Sequence, residues 1–150
     1  MSHLPHSDPS CLFCKISDGR IPSQRLYSDD FCTAFLDINP VNHGHVLIVP
    51  RHHHHDITEL PSEIAAEVAR VLPILAKAVV RATGADGFNV IINNGAVAGQ
   101  TIFHGHWHII PRFHEDSVNW PWPHSEYRGD EINQIAFAID RELRTIQGRS

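Results

Sequence analysis

Residues 103–110 read FHGHWHII, which places histidine at every second position of an otherwise apolar run. Only an extended strand puts alternate side chains on a common face. The pattern predicts a strand over 100–112. Gln100, Ile102, His104, His106, His108 and Ile110 would line one side, and Thr101, Phe103, Gly105, Trp107 and Ile109 the other. Successive imidazoles on such a strand stand about 7 Å apart. Two rings four residues apart therefore cannot both reach one zinc through bonds of about 2 Å. The three rings must divide between different tasks, unless each is simply paired with backbone or solvent on a half-exposed sheet.

The rest of the chain supplies a sheet for that strand. FCTAFLDI and HVLIVPR are apolar, β-branched or aromatic runs joined by NPVNHG, a hairpin signal that predicts adjacent antiparallel strands. RLYS suggests a short strand before them, and FNVIINN, followed by the flexible GAVAG, a strand in hairpin relation to the histidine strand. Residues 59–83 carry the one long helical period, with Ile64, Val68, Val71, Leu72, Leu75 and Val79 on one face and Gly84 as a stop. Pro73 falls inside this period and should kink or split the helix. A shorter helix closes the chain, with Asp130 at its N-cap and Ile132, Ile135, Ile139 and Leu143 on its apolar face. The order predicts an α+β fold: an antiparallel sheet with one long helix and a C-terminal helix on one face. Residues 1–10 read as a flexible tail, 11–113 as the domain, and 114–150 as an extension whose helix packs on it.

The net charge of −5 over 150 residues argues against a nucleic-acid polymer as partner, because tracking phosphates needs clustered Lys and Arg. No apolar run approaches the roughly 18 residues of a membrane span, and no signal peptide is evident. A soluble, cytoplasmic protein without membrane partners is expected. Cys11 and Cys14 form a Cys-x-x-Cys pair, which is a metal knuckle or a redox pair. A closed zinc site would need two more ligands, drawn from the internal run His52–His55 and from one histidine of the alternating strand.

CLFCKI, AFLDINPVNHGHVLIVPRHH, NNG and AGQTIFHGHWHIIPR together resemble the histidine triad (HIT) family of nucleotide hydrolases and transferases, in its Hint-like branch. The resemblance runs from Cys11 to Arg112. It departs from the family's alternation only at Gly105, which replaces a hydrophobic residue and, on the outward face, should matter little. The resemblance implies His106 as the nucleophile that takes the α-phosphoryl of a purine nucleotide, forming a nucleotidyl-histidine that water hydrolyses. It implies His108 on the phosphate oxygens, His45 orienting the nucleophile, and Gln100 and Thr101 holding the phosphate and leaving group. Asp37 would accept the ribose hydroxyls, Phe13, Phe35 and Ile38 would wall the base, and Asn93 and Gly99 would lie near the phosphates. Each of the three wall residues is equally readable as plain core, and Gln100 and Thr101 as ordinary polar residues at a strand start. A structural zinc is implied on Cys11, Cys14, His53 and His104, and a homodimer joined through the long helix and its adjacent strand.

These expectations favour a nucleoside phosphoramidase or dinucleotide polyphosphate hydrolase. Trp107 stands where the related uridylyltransferases carry proline. Two other classes remain open: a nucleotide-binding regulatory module with little catalysis, and a hydrolase in which the triad binds a catalytic zinc. The segment NWPWPHSEY would fold over its own or a neighbouring subunit's pocket.

Overall fold

The computed structural model describes residues 7–149. In chain order its elements are α1 (Leu12–Ser17), β1 (Arg25–Ser28), β2 (Cys32–Leu36), β3 (Val46–Pro50), α2 (Ser62–Thr83), β4 (Gly87–Ile92), β5 (Trp107–Arg112) and α3 (Glu131–Ile146), with 3-10 turns at Ile57–Glu59 and Ala96–Ala98. The five strands form one antiparallel sheet in the order β1-β2-β3-β5-β4. This is the α+β architecture the sequence predicts. Among the described residues no helix is long and apolar enough to cross a membrane.

β2 and β3 are buried at every position, because both faces of the sheet are covered. Cys32, Ala34, Leu36, Val46, Ile48, Trp107 and Ile109 point into a large core shared with Val68, Val71, Leu75 and Val79 of α2 and Ile139 and Leu143 of α3. The alternate residues Phe35, Leu47 and Val49 pack instead with Phe13 and Ile16 of α1. Strand alternation thus divides each sequence run between two cores.

Four expectations need correction. α1 was not foreseen, and it lies on the face opposite α2, so the helices do not all share one face. A six-residue helix is too short to show a period, and turn residues follow it at once. Pro73 does not split α2, which runs unbroken through it. One missing N–H removes a single bond, while Val71, Leu75 and Ala76 hold both halves in the core. The histidine strand begins only at Trp107, not at Gln100, because the Gly105 N–H donates to the His54 carbonyl (3.1 Å) and so leaves the ladder. Asp130 takes the N-cap position of α3, but its carboxylate accepts from the Asn133 side chain (2.7 Å) and caps no backbone N–H.

The left-handed Gly84 (φ 69°) stops α2 as anticipated, its N–H bonded to the Val80 carbonyl. Of the expected flexible tail, residues 1–6 lie outside the described residues. Residues 7–10 are tied to α1: the Asp8 carbonyl accepts from Cys11 N–H (3.1 Å), and the Asp8 N–H approaches Cys14 Sγ (3.4 Å).

Candidate active site and metal cluster

The β2–β3 hairpin and the start of β5 build two adjoining sites. Asp37 ends β2 and His45 precedes β3. The Asp37 N–H donates to the His45 carbonyl (2.9 Å), closing the hairpin and bringing both side chains to one end of the sheet. In the next strand His108 lies opposite Leu47, on the face shared with Phe35. Its ring comes within 5.1 Å of the His45 ring, centroid to centroid.

A cavity of about 580 Å³ opens on this face. Phe13, Phe35, Asp37, Ile38, His45, Asn93, Gly99, Thr101, His106 and His108 all line it, as do Trp122 and His124. Every anticipated substrate-site position is therefore on its wall except Gln100. That side chain is buried in loop bonds: its amide donates to the carbonyls of His55 (2.7 Å) and Ile102 (3.1 Å), and its oxygen accepts from Gly95 N–H (2.7 Å). Both amide N–H groups of Gln100 are engaged in these loop bonds, and its oxygen already accepts one.

The sequence reading did not include Trp122 and His124 among the site residues. They arrive on the extension after β5, which folds across its own chain's cavity. The Ser125 N–H bonds the Pro40 carbonyl (2.7 Å), His124 Nδ1 donates to the Asn39 carbonyl (3.0 Å), and the Tyr127 hydroxyl accepts from Gly44 N–H (3.0 Å). Trp122 stands edge-on to His108, 5.3 Å between ring centroids. These contacts span more than eighty residues, and no local pattern marks them.

Backbone partners fix the tautomers of the histidines. The Val41 N–H can only donate, so His45 Nδ1 accepts (3.1 Å) and the His45 proton sits on Nε2. That N–H donates to His108 Nδ1 (2.9 Å), which leaves the His108 proton on Nε2. His45 is thus hydrogen-bonded to His108. The His104 carbonyl can only accept, so His106 carries its proton on Nδ1 (2.8 Å), and its Nε2 holds a free lone pair. Burial holds all three rings neutral: His45 falls to about 3, His108 to about 2, and His106 below its usual 6.5. Burial also raises the Asp37 carboxyl, against the opposing bond from the Asn39 N–H.

Asp37, His45 and His108 offer donor atoms close enough to suggest a metal. The Val41 N–H argues against one, since it occupies the His45 lone pair and keeps a proton on the nitrogen that would have to ligate.

The second cluster has the opposite chemistry. Donor atoms of Cys11, Cys14, His53 and His104 all lie within 4.8 Å of one another. His104 Nε2 donates to the Pro50 carbonyl (2.7 Å), turning its Nδ1 lone pair toward Cys11 Sγ (3.4 Å) and Cys14 Sγ (3.6 Å). His53 Nδ1 lies 3.5 Å from Cys14 Sγ. Zinc bonds of about 2.3 Å to sulfur and 2.0–2.1 Å to nitrogen at tetrahedral angles separate S and N by about 3.6 Å. The donors are already spaced for that ion. The Asp8 carboxylate, 3.8 Å from His53 Nε2, is placed as an outer partner of a ligating imidazole. Of the other residues of the run, His54 is buried beneath Gly105 and His55 is exposed and stacked on Phe103.

The HIT domain family model matches residues 18–115. An adenylylsulfatase of Arabidopsis thaliana is 43% identical over 137 residues, covering 89% of this chain and 69% of the relative. An adenosine 5'-monophosphoramidase of Schizosaccharomyces pombe is 38% identical over 136 residues, covering 90% and 99%. Among solved structures, a zinc-bound histidine triad family protein from Mycobacterium smegmatis superposes with a TM-score of 0.81 at 35% identity, over 93% of this chain and 96% of that one. With the triad, the cavity and the thiol–imidazole cluster in place, the chain belongs to the histidine triad (HIT) family.

Proposed function

We propose that the cavity hydrolyses a purine nucleotide at its α-phosphate, with His106 as nucleophile and an amine (from a phosphoramidate) or a second nucleotide as leaving group. The protein is an enzyme of the HIT-family nucleotide-hydrolase kind. The observation that carries the covalent mechanism is the bond from His106 Nδ1 to the His104 carbonyl. It frees Nε2 as a lone-pair donor inside the cavity, and the carbonyl dipole stabilises the positive charge the ring acquires as it attacks.

Nε2 of His106 forms a bond to the α-phosphorus while the bond from phosphorus to the leaving group breaks, and that group departs with the electron pair. Water then attacks the same phosphorus, the N–P bond breaks, and the neutral imidazole returns; the proton that the water gives up to solvent balances the one the departing group takes from it. His108 Nε2–H, set by the Val41–His45–His108 chain, is the donor placed for a non-bridging phosphoryl oxygen. Asp37 is suited to accept ribose hydroxyls, and Phe13, Phe35 and Ile38 supply an apolar wall for the base. The relatives in Arabidopsis, an adenylylsulfatase, and in Schizosaccharomyces, an adenosine 5'-monophosphoramidase, support an adenine nucleotide.

The Cys11, Cys14, His53 and His104 cluster fits a zinc ion with four protein ligands, which is the closed form of a structural site. Such an ion would bind the N-terminal segment and α1 to the triad segment. A homodimer is supported by β4, an edge strand with Phe88 and Val90 about half exposed. A largely apolar groove beside it is lined by Leu72, Ala76 and Val80 of α2.

Four outcomes test these readings. Acid-quenched wild-type protein turning over an adenosine phosphoramidate should carry an added adenylyl mass that His106→Ala lacks; turnover without an adduct would refute covalent catalysis. Because the His106 pKa is lowered in the folded protein, its lone pair is available at and above pH 6.5 and is lost only as the pH falls further. The acid limb of kcat/KM should accordingly lie below pH 6.5, and a limb above 7 would contradict the assignment. His53→Ala should lose zinc on metal analysis while His55→Ala keeps it; the reverse would move the ligand. Val90→Asp should shift the sedimenting species from dimer to monomer, and an unchanged mass would remove β4 from any interface.

A further inference from the structure

Gly105 is the single departure from the family's alternation, and its surroundings give it a task. A Cβ built at this position would stand 2.3 Å from His54 Nε2 and 2.9 Å from its Cδ2. The ring has nowhere to retreat. It is 2% exposed, its Nδ1 donates to the His52 carbonyl (2.8 Å), and the His104 ring lies 5.4 Å away. Among the described residues its Nε2 has no hydrogen-bond partner. A buried nitrogen left unpaired opposes folding, so the ring is held there by its shape and by one bond rather than by full polar satisfaction.

The peptide that joins His104 to Gly105 is gripped at both ends. Its N–H donates to the His54 carbonyl (3.1 Å), and its C=O accepts from His106 Nδ1 (2.8 Å). The residue that faces Gly105 therefore also holds the peptide that sets the tautomer of His106. We propose that His54 is a positioning residue for His106, fixing the 104–105 peptide by its carbonyl and by its ring seated on the bare Cα of Gly105. The inference rests on the reading of His106 as nucleophile. It explains why glycine stands at a position where the family pattern has a hydrophobic side chain: any Cβ would expel the ring and tilt the carbonyl that orients the nucleophile.

The test compares full-length wild type with Gly105→Ala, His54→Ala and the double variant. Each is assayed for kcat and KM on an adenosine phosphoramidate, for zinc content, and for the His106 tautomer by nitrogen-15 imidazole NMR. A nucleophile displaced by about 1 Å loses about a hundredfold in rate, so Gly105→Ala should lower kcat on that scale with KM nearly unchanged. The Nδ1–H signature of His106 should weaken with it. The double variant should recover much of the loss, because the methyl group enters the space the ring vacates. Wild-type kcat in Gly105→Ala, or a double variant no better than it, would overturn the proposal. So would loss of zinc in step with kcat, which would assign the effect to the metal cluster. If Gly105→Ala does not fold, His54→Ala alone decides: an unchanged His106 tautomer and kcat would overturn the proposal. His106→Ala retaining turnover would defeat the nucleophile reading, while the NMR signature would still report whether His54 orients His106.

Discussion

The peptide between His104 and Gly105 is the constraint on which both sites depend. From one residue, the side chain of His104 turns toward the two thiols and its carbonyl turns toward His106. A regular strand cannot do both, because ladder bonding would engage that carbonyl with a neighbouring strand. The chain is outside the sheet from 93 to 106, between β4 and β5, and backbone groups freed from the ladder there bond His54 and His106 instead. The irregularity is the condition for the chemistry, and the adjoining strands supply the rigidity that keeps it in place.

Desolvation sets the electrostatics of the cavity. Three imidazoles sit together at the cavity, each nearly or fully buried, and a proton on any one would be poorly solvated. Neutral rings are what the proposed phosphoryl transfer would need: one lone pair to attack and one N–H to donate. The Val41 N–H at the far end of the chain through His45 decides which nitrogen of His108 carries its proton. A backbone amide in the β2–β3 connection thereby determines the polarity of a side chain 67 positions later.

The sheet and the long helix were legible because their residues repeat. CTAFL, VLIVP and the face running from Val68 to Val79 carry periods that only one element type satisfies. The site was legible in part for the same reason, since His106 and His108 keep the two-residue alternation into β5. The pattern misled where it continued without the structure. Gln100 shares the parity of His106, yet its amide closes the loop around Gly95 and His55. Gly105 shares the parity of Trp107, yet what it faces is a histidine ring rather than the core. Trp122 and His124 lie in a proline-rich extension with no period, and only tertiary bonds to Asn39, Pro40 and Gly44 bring them to the cavity.

The run His52–His55 is the clearest case of identical residues given different physics. Nothing in four consecutive histidines distinguishes one from another, and outside a strand or helix no periodicity assigns them faces. The fold separates them by what each meets. His53 meets thiols and a carboxylate, which suits a ligand. His54 meets a glycine with no side chain, which admits a ring where nothing else in the segment would. His55 meets Phe103 at the surface, where its ring stacks at 4.7 Å and remains in solvent. Composition alone would assign the whole run to one role. Burial and neighbours assign at least three: the thiol and carboxylate that meet His53 come from the N-terminal segment, whereas Gly105 and Phe103, which meet His54 and His55, come from the triad segment.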